Sequence, residues 1–281
     1  MITPDEEEFI HNHAYVPEHL PGYGMSISQG EPFFLEDYLC YQRREVLIFV
    51  GYPLSGRFDE KRMEEILQRF IQRFSPAQVA LQSAVIPAGL GRPSQPDSYY
   101  KLDLAHRRTS SKVRNMVQRA GRELKVEKGR EFQDEHLELI EDFLACHPVD
   151  EGTRTLFQKI PAYLSSVPSA CLLETRNSRG ELAAFDIAEF GARDYAFYMF
   201  NFRSQRAPVP GASDLLLQAL ISEAEKLGKS SVNLGLGVNA KVAFFKEKWG
   251  GVPFLPYQFL HYRPSPPSLF GSFLQGFLKK C

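Results

Sequence analysis

The stretch from Ser231 to Gly251, SVNLGLGVNAKVAFFKEKWGG, decides which fold the chain adopts. Its first six residues, Ser231–Leu236, predict a strand, and Asn239–Trp249 predicts a helix that Asn239 caps. Between them, Gly235 to Ala240 has the spacing G-x-G-x-x-A, which in other proteins holds the pyrophosphate of a dinucleotide. The stretch is therefore either a nucleotide-binding turn or a strand-to-helix turn with another purpose.

The surroundings of this turn exclude a dinucleotide site. Such a site needs a strand–helix–strand unit and an acidic residue about 20 positions further on, which binds the ribose. Residues 255–260 are LPYQFL and contain no acid. Three runs joined by short turns precede the turn and predict antiparallel strands: Ala170–Thr175, Leu182–Phe190 and Tyr195–Phe202. A purely structural role for Gly235 and Gly237, in a bulge or a close backbone approach, stays open.

The remaining patterns predict a mixed α/β sheet with two parts. In the second part, strands are predicted at Tyr99–Leu104 and Glu123–Gly129, and a last strand at 256–262. Helices are predicted at Thr109–Ala120 (stopped by Gly121), from Asp134, at Thr153–Ser166 (bent at Pro161) and at Ser213–Leu227. The first part contains a strand at Glu45–Tyr52, a helix at Asp59–Phe74 and a strand from Gln78. The Gly/Pro/Ser-rich run Pro87–Ser98 predicts a connector, so we expect domains at 1–98 and 99–281.

Composition indicates an ordinary soluble globular protein. Of the 281 residues, 43% are hydrophobic and 24% charged. No apolar run reaches the length of a membrane span, and the acidic start MITPDEEEFI lacks a secretory signal. The four cysteines are scattered; two disulfides are conceivable, but reduced core thiols in a cytoplasmic protein fit the pattern better.

Charge is uneven although the net charge is only -1. From Lys101 to Arg130 there are ten Lys and Arg residues against Asp103, Glu123 and Glu127. This segment is either a binding surface for tRNA or another phosphate-rich ligand, or a solvated helix face.

Several segments resemble the C-terminal core of Fem-type peptidyltransferases, in the Fem-like branch of the GNAT acyltransferase superfamily. They are the small-residue turn Gly211-Ala212 before a Leu-rich helix, Ala224 to Gly228 at its end, Asn233 to Gly237 at a strand end, and Phe245-Lys246 to Trp249-Gly250-Gly251 at the end of the next helix. YYKLDL followed by SSKVRNMVQRA also resembles the join between the two halves of that family. The resemblance covers roughly residues 99 to 260.

This resemblance implies a GNAT-like fold, alone or in tandem with a reduced N-terminal copy. In such folds two central parallel strands splay apart, and the acyl donor lies in the notch between them. Here the splayed pair would be Tyr195–Phe202 and Ser231–Leu236. Gly235 and Gly237 would then border the notch, which gives the turn a functional interpretation.

The donor turn departs from the pattern [QR]-x-x-G-x-[GA] with which related enzymes hold coenzyme A. Aligned on Gly211, it places Pro208 at the Gln/Arg position and Ser213 at the last small position, with Ala212 between. Asp214 follows in the first helical turn, where its charge would compete with a phosphate. Arg203, Gln205 and Arg206 are candidates to compensate, and Fem-like relatives use aminoacyl-tRNA as donor with such degenerate turns.

The catalytic candidates are Lys246, Asn233 and Tyr198. Lys246 follows Phe245 in the helix and is placed either at the cleft, to bind a phosphate or polarise a carbonyl, or in solvent beside Lys241 and Lys248. Asn233 stands where relatives often have Asp, so the usual carboxylate base is missing. Tyr198, with Tyr195 and Asp186 beside it in the sequence of strands, is a proton-acceptor candidate or an ordinary sheet residue.

Two segments near the chain ends carry side chains suited to a metal site or to an apolar surface. The group His11, His13, Glu18 and His19 has the side chains of a zinc site, but on an N-terminal segment that we expect to be mobile, so no metal site is predicted. The apolar segment Leu269–Cys281 is placed on a membrane surface, on the protein itself or in a self-association interface.

The sequence thus predicts a transferase that moves an acyl or aminoacyl group from a carrier (acyl-coenzyme A, acyl carrier protein or aminoacyl-tRNA) to a small amine or peptide acceptor. No tightly bound cofactor is expected. The alternative is a catalytically silent GNAT-like module that binds a phosphate-bearing ligand through the segment Lys101–Arg130.

Overall fold

The computed structural model describes residues 1–264, which form a single mixed sheet flanked by helices. The strands are β1 Glu31–Leu35, β2 Tyr38–Arg43, β3 Val46–Gly51, β4 Gln78–Ser83, β5 Asp97–Asp103, β6 Leu124–Gly129, β7 Ala170–Asn177, β8 Leu182–Glu189, β9 Tyr195–Arg203, β10 Ser231–Leu236 and β11 Val252–Tyr262. The helices are α1 Pro4–His13, α2 Pro21–Ser28, α3 Glu60–Phe74, α4 Ser111–Glu123, α5 Asp134–Cys146, α6 Glu151–Gln158, α7 Ile160–Ser166, α8 Ala212–Lys226 and α9 Ala240–Lys248. The mixed α/β fold class is confirmed.

Most element boundaries follow from local chemistry, and two predictions were wrong. Side chains of Asp59, Ser110 and Asn239 cap α3, α4 and α9 as their residue types favour. However, α4 continues through Gly121 to Glu123. The predicted bend at Pro161 is present but goes further than expected: Thr153–Ser166 is two helices that meet at Lys159, with Pro161 in the first turn of α7.

The second error concerns the N-terminal segment, which is ordered and not mobile. Thr3 and Glu6 form a capping box that begins α1, and Ile10 is fully buried. A short 3-10 turn, Pro17–His19, connects α1 to α2. His19 is buried, and its Nε2 lies 3.0 Å from the carbonyl oxygen of Tyr52.

The sheet runs without interruption through both parts of the chain, in the order β1-β2-β3-β4-β11-β5-β10-β9-β8-β7-β6. Strand β11, although it comes last, pairs antiparallel with β4 on one side and with β5 on the other. The predicted domain boundary after Ser98 falls inside β5. The division at 1–98 and 99–281 therefore stays a prediction, with β11 as the strand that joins the two parts.

Each part contains one parallel strand pair, and the two pairs differ. In the first part, β3 and β4 pair along six residues, from Val46 with Gln78 to Gly51 with Ser83. In the second part, β9 and β10 pair only at their first three positions, the last being Asn233 with Phe197. Beyond that point the strands diverge, so the predicted splay is present here and the first pair is closed.

Two β-bulges lie at the point of divergence. The pairing of β9 with β8 shifts between Tyr198 and Phe200, which makes Met199 the extra residue. The pairing of β10 with β5 shifts between Asn233 and Leu236, around Gly235. Because a bulge reverses which side chains face which side of a sheet, residues after each bulge change faces: Leu234 packs among the α8 side chains, whereas Leu236 packs with Tyr99 near α1.

The two faces of the second part are covered by different helices. One face, called here the α8 face, packs against α4, α8 and α9 around Leu216, Leu220 and Trp249. The other, called the α2 face, packs against α2, α5 and α7 around Tyr163 and Phe185. The splay leaves an opening between the α8 face and the α2 face of the sheet.

Candidate functional site

A cavity of about 710 Å³ occupies the splay between β9 and β10. Its walls come from both sides of the sheet and share a predominantly apolar character, with charged groups at a few points. From the α8 face come Gly211, Ala212, Ser213, Val242, Phe245 and Lys246; from the α2 face come Pro17, Glu18, Tyr23, Phe143, Leu156 and Phe157; the strands contribute Tyr99, Tyr198, Met199, Phe200, Leu234, Gly235 and Leu236. The cavity therefore passes through the sheet.

Lys246 is buried at the α8 side of this cavity. It is only 3% exposed, and its Nζ donates a hydrogen bond to the carbonyl oxygen of Leu236, at the end of β10. Burial lowers the pKa of Lys246 to about 7, against a smaller opposing effect of Asp97. The alternative of a solvent-facing lysine is wrong, and the side chain is placed to hold or release a proton near neutral pH.

The rest of the FKEKWGG motif fixes α9 against α8. Trp249 Nε1 donates to Asp214 Oδ1 at 2.9 Å, and Lys248 Nζ lies 2.7 Å from the same oxygen. Phe245 stacks on Tyr198 with ring centroids 6.3 Å apart. The buried Asp214 carboxylate is thus paired within the protein, and the competition between its charge and a phosphate at the helix end stays a prediction.

Gly235 and Gly237 have different reasons to be glycine. Gly235 has φ +76° and lines the cavity; a Cβ there would lie 3.5 Å from Lys246 Nζ and 3.5 Å from the Tyr198 carbonyl oxygen. Gly237 lies outside the cavity, and a Cβ there would be 2.7 Å from Asp97 Oδ1. The Asp97 carboxylate accepts the N–H groups of Gly237 and Val238 at 3.0 and 2.8 Å. These two backbone N–H groups are thus already occupied and do not bind a phosphate in this arrangement.

The first turn of α8 opens on the cavity. Gly211, at φ +87°, is the N-cap, and packs so closely on Met116 of α4 that a Cβ would meet it at 2.9 Å. Ala212 and Ser213 follow; among the described residues, no group accepts the N–H of Ser213 or of Asp214. The helix end therefore presents backbone donors and the positive end of its dipole to a ligand.

Of the three polar side chains predicted to bind a donor beside this turn, only one lines the cavity. Arg203 lines the cavity. Arg206 is turned to α5, where its guanidinium pairs with Glu138 and Asp142 at 3.4 and 2.9 Å, and Gln205 is exposed outside the cavity. Of the three, Arg203 alone is placed to meet a donor.

Tyr198 faces the cavity, and burial raises its pKa well above its ordinary value, so its hydroxyl stays protonated at neutral pH.

Asn233 does not face the cavity: its Nδ2 donates to the Tyr15 carbonyl at 2.8 Å and its Oδ1 accepts the Gly235 N–H at 2.8 Å. Asp186 is fully buried beneath α8, where its Oδ1 accepts from Asn201, and burial raises its pKa strongly. Tyr195 stacks on Phe254 away from the cavity. Tyr198 is thus a hydrogen-bond donor here, and Asn233 a tie between β10 and the N-terminal segment.

Some Lys and Arg side chains of the segment Lys101–Arg130 bind other parts of the protein, and others are exposed. Arg107 and Lys128 pair with Glu225 and Glu223 of α8, and Arg130 donates to three backbone carbonyls. Exposed cations on and around α4 are Arg108, Lys112, Arg114, Arg119, Arg122 and Lys125. Lys112 and Arg119 stand one turn before and after Met116, the residue that contacts Gly211, so this surface adjoins the α8 helix end.

Sequence reasoning missed the α2-face wall and named Glu18 only among candidate zinc ligands, not as a residue of this cavity. This carboxylate lies on the short turn after α1 and lines the cavity, with Oε2 accepting from Tyr99 at 2.9 Å. No periodic pattern surrounds it; the proline at position 17 is the only local signal of a fixed turn.

Three remaining predictions concern other chemistry. Within residues 1–264, no group of three or more His, Cys, Asp or Glu side chains is arranged to hold a metal ion. No helix in that part of the chain has the length and apolar character needed to cross a membrane. The segment Leu269–Cys281 lies outside the described residues.

Comparison with known proteins supports the fold. No family model and no curated protein matches the sequence. Among solved structures, FemX is similar with a TM-score of 0.66 and 10% identity, covering 92% of this chain and 96% of FemX. The C-terminal domain of a putative lysylphosphatidylglycerol synthetase from Agrobacterium fabrum is similar with a TM-score of 0.60 and 17% identity, covering 93% of this chain and 92% of that domain.

A third structure concerns the tandem arrangement. A tandem GNAT protein from the clavulanic acid biosynthesis pathway is similar with a TM-score of 0.50 and 10% identity, covering 82% of this chain and 79% of that protein. Together these likenesses show a GNAT-like fold similar to that of FemX, as the resemblance of the second part implied.

Proposed function

We propose that this chain, which has a GNAT-like fold similar to that of FemX, transfers an acyl or aminoacyl group from a carrier to an amine. The observation that most supports this function is the cavity through the splayed strands β9 and β10, with Lys246 buried in its wall. A fold alone does not imply chemistry, whereas an open notch with a charged side chain of shifted pKa is typical of a working site.

The two sides of the cavity suit two substrates. The α8 side offers free N–H groups at a helix end, Arg203, and the neighbouring basic surface of α4, all of which favour the phosphates of a carrier. The α2 side offers aromatic walls and one carboxylate. We therefore place the acyl carrier on the α8 side and the acceptor on the α2 side, with the reacting carbonyl between them in the splay.

In this arrangement the acceptor nitrogen attacks the acyl carbonyl, a C–N bond forms, and the bond from carbon to the carrier sulfur or oxygen breaks. The negative charge that develops on the carbonyl oxygen needs positioned donors. Lys246, as an ammonium with no salt-bridge partner among the described residues, supplies one, and the unpaired edge of β9 after Phe197 supplies backbone groups. The proton lost by the attacking nitrogen passes to the departing sulfur or oxygen, so the carrier leaves as a thiol or hydroxyl.

The donor class is the finer part of the proposal. Pro208 in place of the Gln or Arg of the usual coenzyme A turn, and Arg206 engaged with α5, weaken the case for coenzyme A. The exposed cations of α4 suit a long polyphosphate such as tRNA. We therefore place aminoacyl-tRNA first among the donors and acyl-coenzyme A second.

The test is release of free carrier by the purified full chain, with acyl-coenzyme A, acyl carrier protein or aminoacyl-tRNA offered together with primary amines. Lys246→Met should lower kcat/KM about 10- to 100-fold, the value of one charge-assisted contact of roughly 1.5–3 kcal/mol. Lys226→Met, which removes a lysine that is 74% exposed on α8, is the matched control and should leave kcat/KM unchanged.

Equal rates for Lys246→Met and the parent would contradict the role of Lys246. No turnover with any donor would favour the second function, a silent module that binds a phosphate-bearing ligand through α4. That module would still bind tRNA or polyphosphate, and replacing Lys112 and Arg119 by Glu would abolish the binding.

A further inference from the structure

We propose that Glu18 is the recognition site for a primary ammonium group, which makes the acceptor an amine carried on an apolar chain. This inference rests on the proposed function for the identity of the acceptor. The ammonium site itself rests on the cavity, the position of the carboxylate within it and the groups around it.

Glu18 is a carboxylate without a cation. Its Oε2 accepts from the Tyr99 hydroxyl at 2.9 Å, no other described side chain donates to Oε1, and no Lys, Arg or His of the described chain forms an ion pair with it. The side chain is half-buried, and it borders the cavity, not the outer surface. Burial raises the pKa of this carboxyl, because no cation in the described chain compensates its charge.

The position of Glu18 is fixed from several sides. The Tyr41 hydroxyl donates to the Glu18 backbone carbonyl at 2.9 Å, and His19 Nε2 lies 3.0 Å from the Tyr52 carbonyl oxygen. Asn233 Nδ2 donates to the carbonyl of Tyr15, three residues before Glu18, which ties this turn to β10. A carboxylate held in place in this way loses little conformational freedom when it binds a ligand.

The surroundings favour an alkylammonium over other cations. Tyr99 and Tyr23 present aromatic surface at the Glu18 end of the cavity, and Phe143, Leu156 and Phe157 form an apolar wall next to it. Aromatic faces attract an ammonium group, and apolar walls take up its carbon chain. A metal ion would instead need several oxygen ligands, and Glu18 is the single carboxylate on the α2 side of the cavity among the described residues.

The location distinguishes Glu18 from Lys246. Tyr99, which holds Glu18, packs on the α2 side of β5, whereas the Tyr100 ring, 5.8 Å from Lys246 Nζ, packs on the α8 side. Glu18 and Lys246 thus face the cavity from opposite sides of the sheet. An ammonium that enters from the α2 side therefore meets the carboxylate of Glu18 before it reaches Lys246.

The experiment measures binding, so that its outcome is separate from turnover. Hexylamine and hexan-1-ol, which differ in the ammonium group and share the chain, are titrated by calorimetry into the full chain and into Glu18→Gln. Hexylamine should bind about 10-fold or more weaker to Glu18→Gln, because a charge-assisted contact is lost, while hexan-1-ol binding should not change. Glu247→Gln is the matched control: Glu247 accepts from the Tyr100 hydroxyl at 3.4 Å but is exposed.

Equal hexylamine affinity in the parent and in Glu18→Gln would overturn the site, whether or not the chain turns over an acyl donor. If Glu18→Gln does not fold, Glu18→Asp, which retracts the carboxylate by one methylene, should still weaken hexylamine more than hexan-1-ol, and an equal loss for both would overturn the site.

A comparison of hexylamine with norleucinamide tests whether the ammonium that Glu18 binds belongs to the acceptor or to an aminoacyl donor. Norleucinamide places its amine beside a carbonyl, as the amino group of an aminoacyl donor would be. A loss confined to hexylamine supports the acceptor assignment. An equal loss for norleucinamide supports the ammonium site but assigns it to the donor, and so overturns the acceptor assignment.

Discussion

Gly235→Ala should separate the acyl notch from an ordinary turn. An alanine at φ +76° costs about 1–2 kcal/mol of folding free energy, because the left-handed region disfavours a Cβ. For a chain of this size a loss of 1 kcal/mol lowers Tm by about 2–4 °C. The new methyl group would also lie 3.5 Å from Lys246 Nζ, inside the cavity, where the proposed function puts the reacting carbonyl.

The effect on turnover should therefore exceed the effect on stability. A displacement of about 1 Å in the reacting geometry can lower the rate about 100-fold, and we expect kcat/KM of Gly235→Ala to fall by that order. The assay is the carrier-release rate per folded molecule, with the folded fraction taken from thermal unfolding at the assay temperature.

Gly228→Ala supplies the matched control. Gly228 has φ +70°, at the far end of α8 from the cavity, and a Cβ there would touch nothing within 4 Å. The strain is the same and the notch is untouched, so Tm should fall by a similar amount while kcat/KM stays at the parent value. If Gly235→Ala also kept the parent kcat/KM, Gly235 would be a conformational residue and the reacting carbonyl would lie elsewhere.

Three other outcomes are expected. Lys246→Met should raise Tm below pH 7, because the buried charge of Lys246 destabilises the folded protein there. The pKa of Lys246 is about 7 in the folded state and 10.5 in the unfolded state, so the gain in Tm should shrink as the pH rises from 7 to 10.5. A gain that does not change with pH would contradict the lowered pKa. Coenzyme A should bind more weakly than the low micromolar range in calorimetry, because Pro208 and the engaged Arg206 leave the turn without its usual cation, and tight binding would return acyl-coenzyme A to first place among the donors. Asp214→Asn should cost roughly 1–3 kcal/mol in chemical denaturation, because it breaks the joint contact with Trp249 and Lys248, whereas Asp142→Asn at the exposed Arg206 pair should cost under about 1 kcal/mol; equal costs would contradict the clamp between α8 and α9.

The predictable part of the fold lay where local pattern and local structure agree. Strands β7 to β9 alternate or run apolar between short polar turns, and α3 and α8 repeat apolar residues at helical spacing, so the spacing of apolar residues alone predicts these elements. The short helix α2, PGYGMSIS, has two glycines and no amphipathic face. It is stabilised by packing instead: Gly24 lies against the Tyr41 ring, where a Cβ would collide at 1.9 Å.

The candidate site likewise has a part that the sequence predicts and a part that it does not. Lys246, Phe245, Gly235 and the turn before α8 belong to one contiguous stretch or its neighbour, and the resemblance identified them. The burial of Lys246 and the pairing of Asp214 with Lys248 depend on how α9 crosses α8, which no spacing in the sequence specifies. Glu18 reaches the cavity only because a segment more than 200 positions away from β10 packs against that strand through Asn233.

Strand β11 has a consequence for the synthesis of the protein. The ribosome makes β4 and β5 long before it makes Val252–Tyr262, and until then both strands lack their shared neighbour in the nascent chain. Each then offers an open row of backbone donors and acceptors, which invites pairing with the wrong strand or with another nascent chain. The two open edges are covered only when Val252–Tyr262 has been made and pairs with both strands, so the sheet closes last at its centre.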